Sequence, residues 1–327
     1  MNRASDDDCS ASRQSQGSPS TTSASPEDAE TVADDADEKV AAHWLALQIA
    51  RLTLRLSRYP ARRWIGATRR KLGRDRGGEG FVVPTDDGVT LDAWYSPAPG
   101  HRRGEDRLPV VMMHGWIEIK EFHFLRAWRL NRAGHDVILF DHRAHGRSTG
   151  KGTTFGVRER ADLAAVIRHA QQQGRIDRRC ITLGYSMGGA VALQHAPDDP
   201  DIAGVVALAP YIDFEQAVSS FRHKLAPWVD DKWLAQGFIR AARELGFGFA
   251  ETSTLEAVRR LEAPVLLIEG GCDTNLPPAL HTRKLAAAKE RGCIECVTID
   301  DATHLSLCHK SWPGLDQRII DFCQSLA

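Results

Sequence analysis

The chain has 327 residues, of which 42% are hydrophobic and 26% charged, and its formal net charge is −1. That length fits one large α/β domain with an appended segment, or two small domains, with enough apolar residues for a sizeable core. A charge near zero argues against a surface built to bind nucleic acid. The seven cysteines are scattered and odd in number, which is untypical of a disulfide framework, so we expect a reducing, cytoplasmic location.

Residues 1–38 form the first of three segments that differ in composition. They contain no Phe, Trp or Tyr, and ten acidic side chains stand against two basic ones, a net charge of −8. So little apolar surface cannot offset the entropy that is lost on ordering, and we predict a disordered acidic tail. The segment lacks the apolar run of a secretory signal and is too acidic for a transit peptide.

Residues 39–78 form a basic second segment, in which the stretch 51–76 has a net charge of +9. Four apolar residues recur there at helical spacing: Leu45, Ile49, Leu52 and Leu56. We favour a helix that packs these leucines on the body of the protein and leaves its arginines in water. The alternative is a peripheral contact of residues 41–76 with an anionic membrane surface. Arginines interrupt the apolar run before it reaches the ~20 residues that a membrane span needs.

Residues 79–327 alternate between short β-type runs and helical stretches. The predicted strands are Phe81–Thr85, Thr90–Tyr95, Pro109–Met113, Val137–Asp141, Cys180–Tyr185, Val205–Ala209, Val265–Glu269 and Ile294–Ile299. The predicted helices are Phe122–Arg132, Arg158–Gln173, Met187–His195, Pro278–Arg291 and Gly314–Leu326. The first two strands read as an antiparallel hairpin, and several later ones are apolar without alternation, as buried parallel strands are. We predict an α/β fold whose eight-stranded, mostly parallel sheet carries helices on both faces.

Residues 184–188 read Gly-Tyr-Ser-Met-Gly and lie between an apolar run and a helical stretch. This Gly-x-Ser-x-Gly pattern at a strand-to-helix junction predicts a nucleophile elbow. The sharp turn forces strained backbone angles on Ser186 and lifts its hydroxyl above the sheet, toward the N-terminal amides of the helix. A chance glycine-rich turn is the alternative, and the strand and helix on either side disfavour it.

A serine hydroxyl needs a base to take its proton and a third group to orient that base. After a nucleophile elbow the acid comes next along the chain and the histidine last. Asp273 and His304 follow the last two predicted strands, so we predict a catalytic triad of Ser186, Asp273 and His304. The rival acids are Asp213, Asp300 and Asp301, and the rival bases are His281 and His309.

Acyl transfer also needs N–H donors for the oxyanion of the tetrahedral intermediate. The backbone amide of Met187, the residue after the nucleophile, is one predicted donor. The other comes from the turn after strand Pro109–Met113, where we favour the amide of Trp116 over that of Ile117. His114, the first residue of that turn, is predicted to brace it by hydrogen bonds.

Residues 114–116 read His-Gly-Trp, 141–148 read Asp-His-Arg-Ala-His-Gly-Arg-Ser, and 154–163 read Thr-x-Gly-x-x-Glu-x-x-Asp-Leu. With the elbow and the predicted triad, these stretches resemble the α/β-hydrolase superfamily from Gly80 to the C-terminus. The second and third resemble its serine aminopeptidase-like and acyl-peptidase-like branch, which includes many bacterial esterases. The resemblance implies an architectural role for residues 141–148, in which Ala144 stands where the family usually has glycine.

The predicted triad indicates a serine hydrolase that cleaves a carboxylic ester of a small acyl substrate through an acyl-enzyme, without a cofactor. A peptidase or thioesterase of the same fold and a non-catalytic binding module are the alternatives. Serine at the elbow disfavours the dehalogenases and epoxide hydrolases that resemble this fold but use aspartate there. We expect specificity to lie in a helical cap at about 211–261, whose aromatic residues line an acyl pocket or hold the cap in place: Phe214, Phe221, Trp228, Trp233, Phe238, Phe247 and Phe249.

Signals for a metal are weak in the sequence. Cys293 and Cys296 have the spacing of a zinc knuckle, but no second pair accompanies them, so we expect buried thiols there. None of the thirteen histidines forms a His-x-x-x-His pair on a predicted helix. We therefore predict no metal ligands.

Overall fold

The computed structural model of the chain describes residues 44–54, 77–100, 107–310 and 312–327. The predicted acidic tail, residues 1–38, lies outside the described residues, as does most of the basic segment 39–78. Within the described ranges, no helix combines the length and apolar character that a membrane crossing requires.

Eight strands form one sheet in the order β1-β2-β4-β3-β5-β6-β7-β8. Their bounds are β1 Glu79–Pro84, β2 Thr90–Ser96, β3 Val110–Met113, β4 Val137–Phe140, β5 Cys180–Tyr185, β6 Ile202–Leu208, β7 Val265–Gly270 and β8 Ile294–Ile299. β2 is antiparallel to β1 and β4, and all pairs from β4 to β8 are parallel. This confirms the predicted α/β fold and places the carboxyl ends of β3, β5, β6 and β7 along one edge.

Ten described α-helices accompany the sheet. Their bounds are α1 44–54, α2 Phe124–Arg132, α3 Glu159–Gln172, α4 Met187–His195, α5 Phe214–Leu225, α6 Asp231–Glu244, α7 Thr254–Arg260, α8 Thr282–Ala288, α9 His304–His309 and α10 Leu315–Gln324. Helix α8 is shorter than the stretch Pro278–Arg291 predicted for it. Lys289 turns away into an extended backbone conformation, and its ammonium donates hydrogen bonds to the carbonyls of Leu261 and Ala263.

Apolar side chains fill both sides of the sheet, because its central strands are covered by helices on either face. Every residue of β3, β4, β5, β6 and β7 is buried. Strand β8 lies at the end of the sheet and alternates between partly buried and exposed residues. The prediction of buried thiols at Cys293 and Cys296 is therefore wrong, since both are exposed on or beside this edge strand.

Helix α1 packs on the body of the protein through a different face from the predicted one. Leu45 and Leu52, which were predicted to be buried, are 39% and 61% exposed. Ile49 is partly buried, and Leu56 lies outside the described residues. The buried face consists of Ala46, Leu47, Ala50 and Leu54.

The contact between α1 and α6 explains why the small residues face inward. A Cβ atom built on Gly237 of α6 would lie only 2.6 Å from the carbonyl oxygen of Ala46, so the two backbones touch where a leucine would not fit. Arg51 of α1 forms an ion pair with Glu244 of α6, with Nη2 and Oε1 2.6 Å apart. The close approach of α1 and α6 through small residues therefore determines which face of α1 is buried. This face differs from the one that the spacing of the leucines predicted.

Candidate active site

Ser186 joins β5 to α4 in a strained conformation. Its backbone angles are φ 51° and ψ −113°, in the region that residues with a side chain rarely adopt. The amide of Ser186 donates a 2.7 Å hydrogen bond to the carbonyl of Leu208, which holds the turn against β6. The geometry is that of the predicted elbow, with the serine at the carboxyl end of a central strand.

Two glycines make this elbow possible. A Cβ atom on Gly184 would lie 2.1 Å from the carbonyl oxygen of Gly188. A Cβ atom on Gly188 would in turn lie 2.6 Å from the carbonyl oxygen of Met113 and 2.7 Å from that of His114. The first turn of α4 therefore lies directly against the turn that follows β3, which is where the second oxyanion donor was predicted.

Ser186, His304 and Asp273 form a continuous hydrogen-bonded chain. Ser186 Oγ and His304 Nε2 are 3.0 Å apart, and His304 Nδ1 and Asp273 Oδ2 are 2.7 Å apart. The other carboxylate oxygen, Oδ1, accepts hydrogen bonds from the amides of Asn275 and Leu276 at 2.9 and 2.8 Å. The structure thus brings together the three residues predicted from their order in the sequence, and both carboxylate oxygens of Asp273 have partners.

Local structure fixes the acid and the histidine at the same edge of the sheet. Asp273 follows β7 in a turn, where its amide donates a 3.0 Å bond to the carbonyl of Gly270. His304 is the first residue of α9, and the hydroxyl of Thr303 caps that helix by accepting from the amide of Ser306. The hydroxyl of Tyr185 donates a hydrogen bond to the carbonyl of His304. Tyr185, which precedes Ser186, thereby anchors the backbone of His304.

The rival bases have different partners. His281 is buried, accepts a hydrogen bond from the amide of Ile212 on Nδ1, and lies 3.0 Å from Ser220 Oγ through Nε2. Burial lowers its pKa to about 4. His309 Nε2 lies 2.7 Å from a carboxylate oxygen of Glu118. In the described part of the chain, the histidine that is hydrogen-bonded to Ser186 is His304.

The rival acids are also placed elsewhere. The carboxylate of Asp213 caps the N-terminus of α5 by accepting from the amide of Gln216 at 2.7 Å. Asp300 and Asp301 lie just after β8, and both are exposed. Among the described residues, Asp273 is the acid that contacts His304.

Three consecutive backbone amides in the turn at residues 114–118 differ in the hydrogen bonds that they donate. The amide of Gly115 donates to Glu118 Oε2 at 2.7 Å, and the amide of Ile117 donates to His145 Nε2 at 3.3 Å. The amide of Trp116, between them, donates no hydrogen bond to any residue in the described ranges. This leaves Trp116 as the available donor and argues against Ile117, the second choice.

His114 braces this turn, as predicted. Its Nε2 accepts from the amide of His142 at 3.0 Å, so its Nδ1 carries the proton and donates to the carbonyl of Gly115 at 2.7 Å. Burial, together with the neighbouring His142 and His145, lowers the pKa of His114 well below its usual range and keeps the ring neutral. His142 and His145, both in the stretch 141–148, therefore contact the turn.

The amide of Met187 is the first of helix α4. The helix begins its own backbone bonding when the amide of Ala190 donates to the carbonyl of Ser186 at 3.0 Å. The preceding amides of a helix have no partner within it and point outward at its positive end. Met187 therefore presents an N–H group beside the nucleophile, where the sequence pattern expects it.

Trp116 also forms an aromatic contact with the cap. Its ring centroid lies 5.8 Å from that of Phe155 and 5.8 Å from that of Phe221 on α5. Phe155 stacks on Phe214 with centroids 3.8 Å apart. Sequence reasoning missed Phe155, because it lies in the stretch 154–163, which indicated only a resemblance to a family. The cap thus meets the predicted oxyanion turn, residues 114–118, through rings that are suited to an apolar ligand.

The remaining aromatic residues of the cap differ in burial. Phe238 and Phe247 are buried and contact Phe214 at the centre of the cap, and Phe249 packs against the same ring at 5.2 Å. These side chains pack against one another and stabilise the cap itself. Trp228, by contrast, is 74% exposed.

Residues 104–245 match the family described as serine aminopeptidase, S33. The chain is also 30% identical over 218 residues to an uncharacterized protein of Mycobacterium tuberculosis (strain ATCC 25618 / H37Rv), which covers 65% of this chain and 68% of the relative. The chain belongs to the serine aminopeptidase S33 branch of the α/β hydrolases. In this α/β hydrolase, Ala144 stands where the family usually has glycine and has a φ of 59°, a left-handed angle suited to glycine.

Further similar proteins are esterases by name. This α/β hydrolase is 26% identical over 255 residues to the bifunctional esterase/perhydrolase DCH of Acinetobacter calcoaceticus, covering 64% of this chain and 88% of the relative. Its structure is similar to that of the Pyrococcus furiosus esterase Pf2001, with a TM-score of 0.62, 24% identity and coverage of 77% and 93%. At that identity the structural likeness establishes the fold alone.

Proposed function

We propose that the chain is a serine hydrolase that cleaves carboxylic esters through an acyl-enzyme formed on Ser186. The observation that carries the proposal is the pair of hydrogen bonds that link Ser186 to His304, at 3.0 Å, and His304 to Asp273, at 2.7 Å. A nucleophile, a base and an acid that orients the base are the groups that acyl transfer requires. This chemistry uses side chains and water and calls for no cofactor.

In the first half of the reaction, Ser186 Oγ attacks the carbonyl carbon of the ester. His304 Nε2 takes the hydroxyl proton as the new bond forms, and then gives it to the leaving alcohol as the old C–O bond breaks. Asp273 holds the imidazole in the tautomer that leaves Nε2 free to accept, and its negative charge stabilises the imidazolium.

The amides of Trp116 and Met187 are the proposed donors to the oxyanion. A donor held in place before the reaction stabilises the transition state by ~3–4 kcal/mol. Trp116 is suited to this role because its neighbours Gly115 and Ile117 already donate to buried acceptors, which fixes the turn around it. The donor is held without any movement of the turn during the reaction.

The second half releases the acyl group. Water attacks the acyl carbon while His304 accepts one of its protons, and the proton then returns to Ser186 Oγ as the acyl–oxygen bond breaks. The products are the carboxylic acid and the enzyme in its starting state. The rings of Trp116, Phe155 and Phe221 offer an apolar surface for the acyl part.

A fluorophosphonate probe tests the nucleophile directly. The wild-type protein should be labelled, and Ser186→Ala should abolish the labelling, with its fold checked by circular dichroism. The matched control is Ser325→Ala, since this serine lies at the end of α10 and donates to the carbonyl of Phe322. A folded wild-type protein that is not labelled would contradict the proposal and favour a binding module.

A substrate panel tests the ester class. We expect p-nitrophenyl esters to be hydrolysed with a kcat/KM far above that of an aminoacyl anilide or an acyl thioester of the same acyl group. A short peptide amide is the second candidate, because the matching family is described as a serine aminopeptidase. Equal or faster cleavage of the anilide would replace the ester with that candidate.

A further inference from the structure

A second cluster of reactive side chains lies beside the oxyanion turn. It consists of Glu118 on the turn, His123 at the end of the 3-10 helix Lys120–His123, and Cys308 and His309 at the end of α9. We propose that these four residues bind one zinc ion. The proposal does not depend on the hydrolase mechanism, because none of the four reacts with the substrate in it.

The donor atoms of Glu118, Cys308 and His309 are already close to the spacing of a zinc site. One ligand atom from each of Glu118, Cys308 and His309 lies within 4.8 Å of the corresponding atoms of the remaining two. His309 Nε2 lies 2.7 Å from Glu118 Oε1. In a tetrahedral site with bonds of ~2.0–2.3 Å, neighbouring ligand atoms are roughly 3.3–3.8 Å apart. Small side-chain rotations would open this cluster around an ion.

His123 supplies the fourth ligand. Its Nε2 lies 3.0 Å from Glu118 Oε2 and 3.8 Å from Cys308 Sγ. The combination of one thiolate, two imidazoles and one carboxylate is typical of Zn²⁺ and unsuited to Mg²⁺ or Ca²⁺, which prefer oxygen ligands. On binding, the Cys308 thiol loses its proton to solvent, and the negative charges of the thiolate and of Glu118 balance the ion.

Burial of the cluster favours a defined site with one open side. The side chains of Glu118 and His123 are buried, whereas that of His309 is 39% exposed and offers the route of entry. Arg126 lies near Glu118 and Cys308 and opposes a cation. Its guanidinium pairs with Asp316, with Nε and Oδ1 2.8 Å apart, but Arg129 pairs with the same carboxylate, so Arg126 lowers the affinity that the four ligands would otherwise give.

The proposed ion would join two parts of the candidate active site. Glu118 Oε2 accepts the amide of Gly115 in the oxyanion turn, while Cys308 and His309 share helix α9 with His304. Coordination by Glu118 Oε1 leaves that hydrogen bond in place. Zinc would therefore fix the turn to the helix that carries the base. The spacing of the residues hides such a site, since His123 and Cys308 are 185 residues apart in the sequence.

Zinc binding by the full-length protein, first stripped with a chelator, tests the proposal. Equilibrium dialysis should give one Zn²⁺ per chain, with an affinity that Cys308→Ser lowers by roughly 100-fold or more. Zinc at about 100 times its Kd should raise the Tm of the wild type by roughly 5 °C and that of the variant by less. With Co²⁺ as the probe, a thiolate-to-metal absorption band should appear in the wild type and be absent in Cys308→Ser.

Two further variants distinguish the proposed site from the knuckle-like cysteine pair and from a loss of folding. The double substitution Cys293→Ser/Cys296→Ser removes that exposed pair and should leave zinc binding unchanged. His309→Gln alters an exposed ligand and should weaken binding even if Cys308→Ser fails to fold. Absence of stoichiometric binding in the wild type, or binding that depends on the Cys293/Cys296 pair, would overturn the proposal. Ser186→Ala should keep the zinc while losing fluorophosphonate labelling, so the two proposals fail separately.

Discussion

Asp273 uses its two carboxylate oxygens for different purposes. Oδ2 accepts the Nδ1 proton of His304, and Oδ1 accepts the amides of Asn275 and Leu276. The two amides fix the carboxylate in the plane from which it reaches the imidazole. The side chain is therefore both held by its own turn and available to the histidine.

Asp273→Asn separates these two purposes. The amide oxygen of asparagine can keep the bonds from Asn275 and Leu276, but its NH₂ group then faces His304 and favours the tautomer with the proton on Nε2. We expect kcat for a p-nitrophenyl ester to fall by about 10³–10⁴-fold. Steady-state kinetics would measure this, with the Tm as the control for folding. A loss of less than tenfold would contradict the role of Asp273.

His281 is a buried imidazole whose protonation should affect the stability of the protein. Burial lowers its pKa in the folded state to about 4, against the usual 6.5. Because the unfolded chain takes up the proton first, the stabilisation is complete above pH ~6.5 and is lost as the pH falls toward ~4, at a total of ~3 kcal/mol.

His281→Asn should remove that pH dependence, because asparagine can still accept the amide of Ile212 but does not titrate. We expect the free energy of unfolding, measured with urea between pH 7 and pH 4, to fall less steeply in the variant than in the wild type. Carboxylates titrate in both proteins and cancel in the difference. Parallel curves would show that His281 does not contribute.

The nucleophile elbow and the oxyanion turn behave as one element. Gly188 lies where they meet, since a Cβ atom there would approach the carbonyl oxygens of Met113 and His114 to 2.6 and 2.7 Å. Both obstacles are backbone atoms of a buried strand and turn, so they cannot move aside as a flexible side chain could. The distance between Ser186 and the proposed oxyanion donor Trp116 thus depends on the absence of a methyl group at position 188.

Gly188→Ala should separate the two parts of this element. Overpacking of a buried contact costs ~1–3 kcal/mol of stability. Displacement of the turn should lower kcat by a larger factor than it changes KM. Urea unfolding and ester kinetics would measure the two effects. The control is Gly80→Ala, where the nearest atom to the added Cβ is 3.7 Å away. A fully active Gly188→Ala would argue against the close contact.

At the scale of the whole molecule, α1 extends the core beyond the sheet and its flanking helices. Ala46 and Ala50 are buried, and the carbonyl of Leu54 accepts a 3.3 Å bond from the amide of Thr153. The helix is further tied to α6 by the bidentate pair of Arg51 and Glu244, which are 193 residues apart in the sequence. The described part of the basic segment is therefore integral to the folded body.

Gly237→Leu should dislodge α1 from α6, because even a Cβ atom at this position meets the backbone of Ala46 at 2.6 Å. We expect faster proteolysis after the arginines of residues 51–76 and a lower Tm than in the wild type. Gly248→Ala, whose nearest neighbour is a side-chain atom at 3.5 Å, is the control. Unchanged cleavage would mean that α1 is held by further contacts.

The sheet and the order of the predicted triad could be inferred from the sequence because both depend on short, local sequence patterns. Runs such as Val205–Leu208 are short, apolar and contain β-branched residues, which favours a buried strand, and Ser186, Asp273 and His304 each follow a strand end. The buried face of α1 could not be predicted, because alanines carry little hydrophobic signal. Gly237, which α1 contacts, is also distant in the sequence.

Side-chain contacts across the chain were equally beyond prediction. The pattern of the turn identified Trp116 but not that Glu118 and His145 would hold the flanking amides. The contact of Glu118 with Cys308 and His309 depends on how α9 meets the turn after β3, which no local spacing encodes. What the sequence leaves open is set by tertiary packing.

The long separation between the serine and its base has a consequence for the synthesis of the protein. Ser186 and His304 are 118 residues apart. At a translation rate of ~5–20 residues per second, the serine exists for roughly 6 to 24 seconds before its histidine has been made. During that time the elbow lacks the group that activates it, and the carbonyl to which Tyr185 donates is also missing. A growing chain therefore carries an unactivated serine, and the proposed ester cleavage can begin only when α9 has left the ribosome and docked.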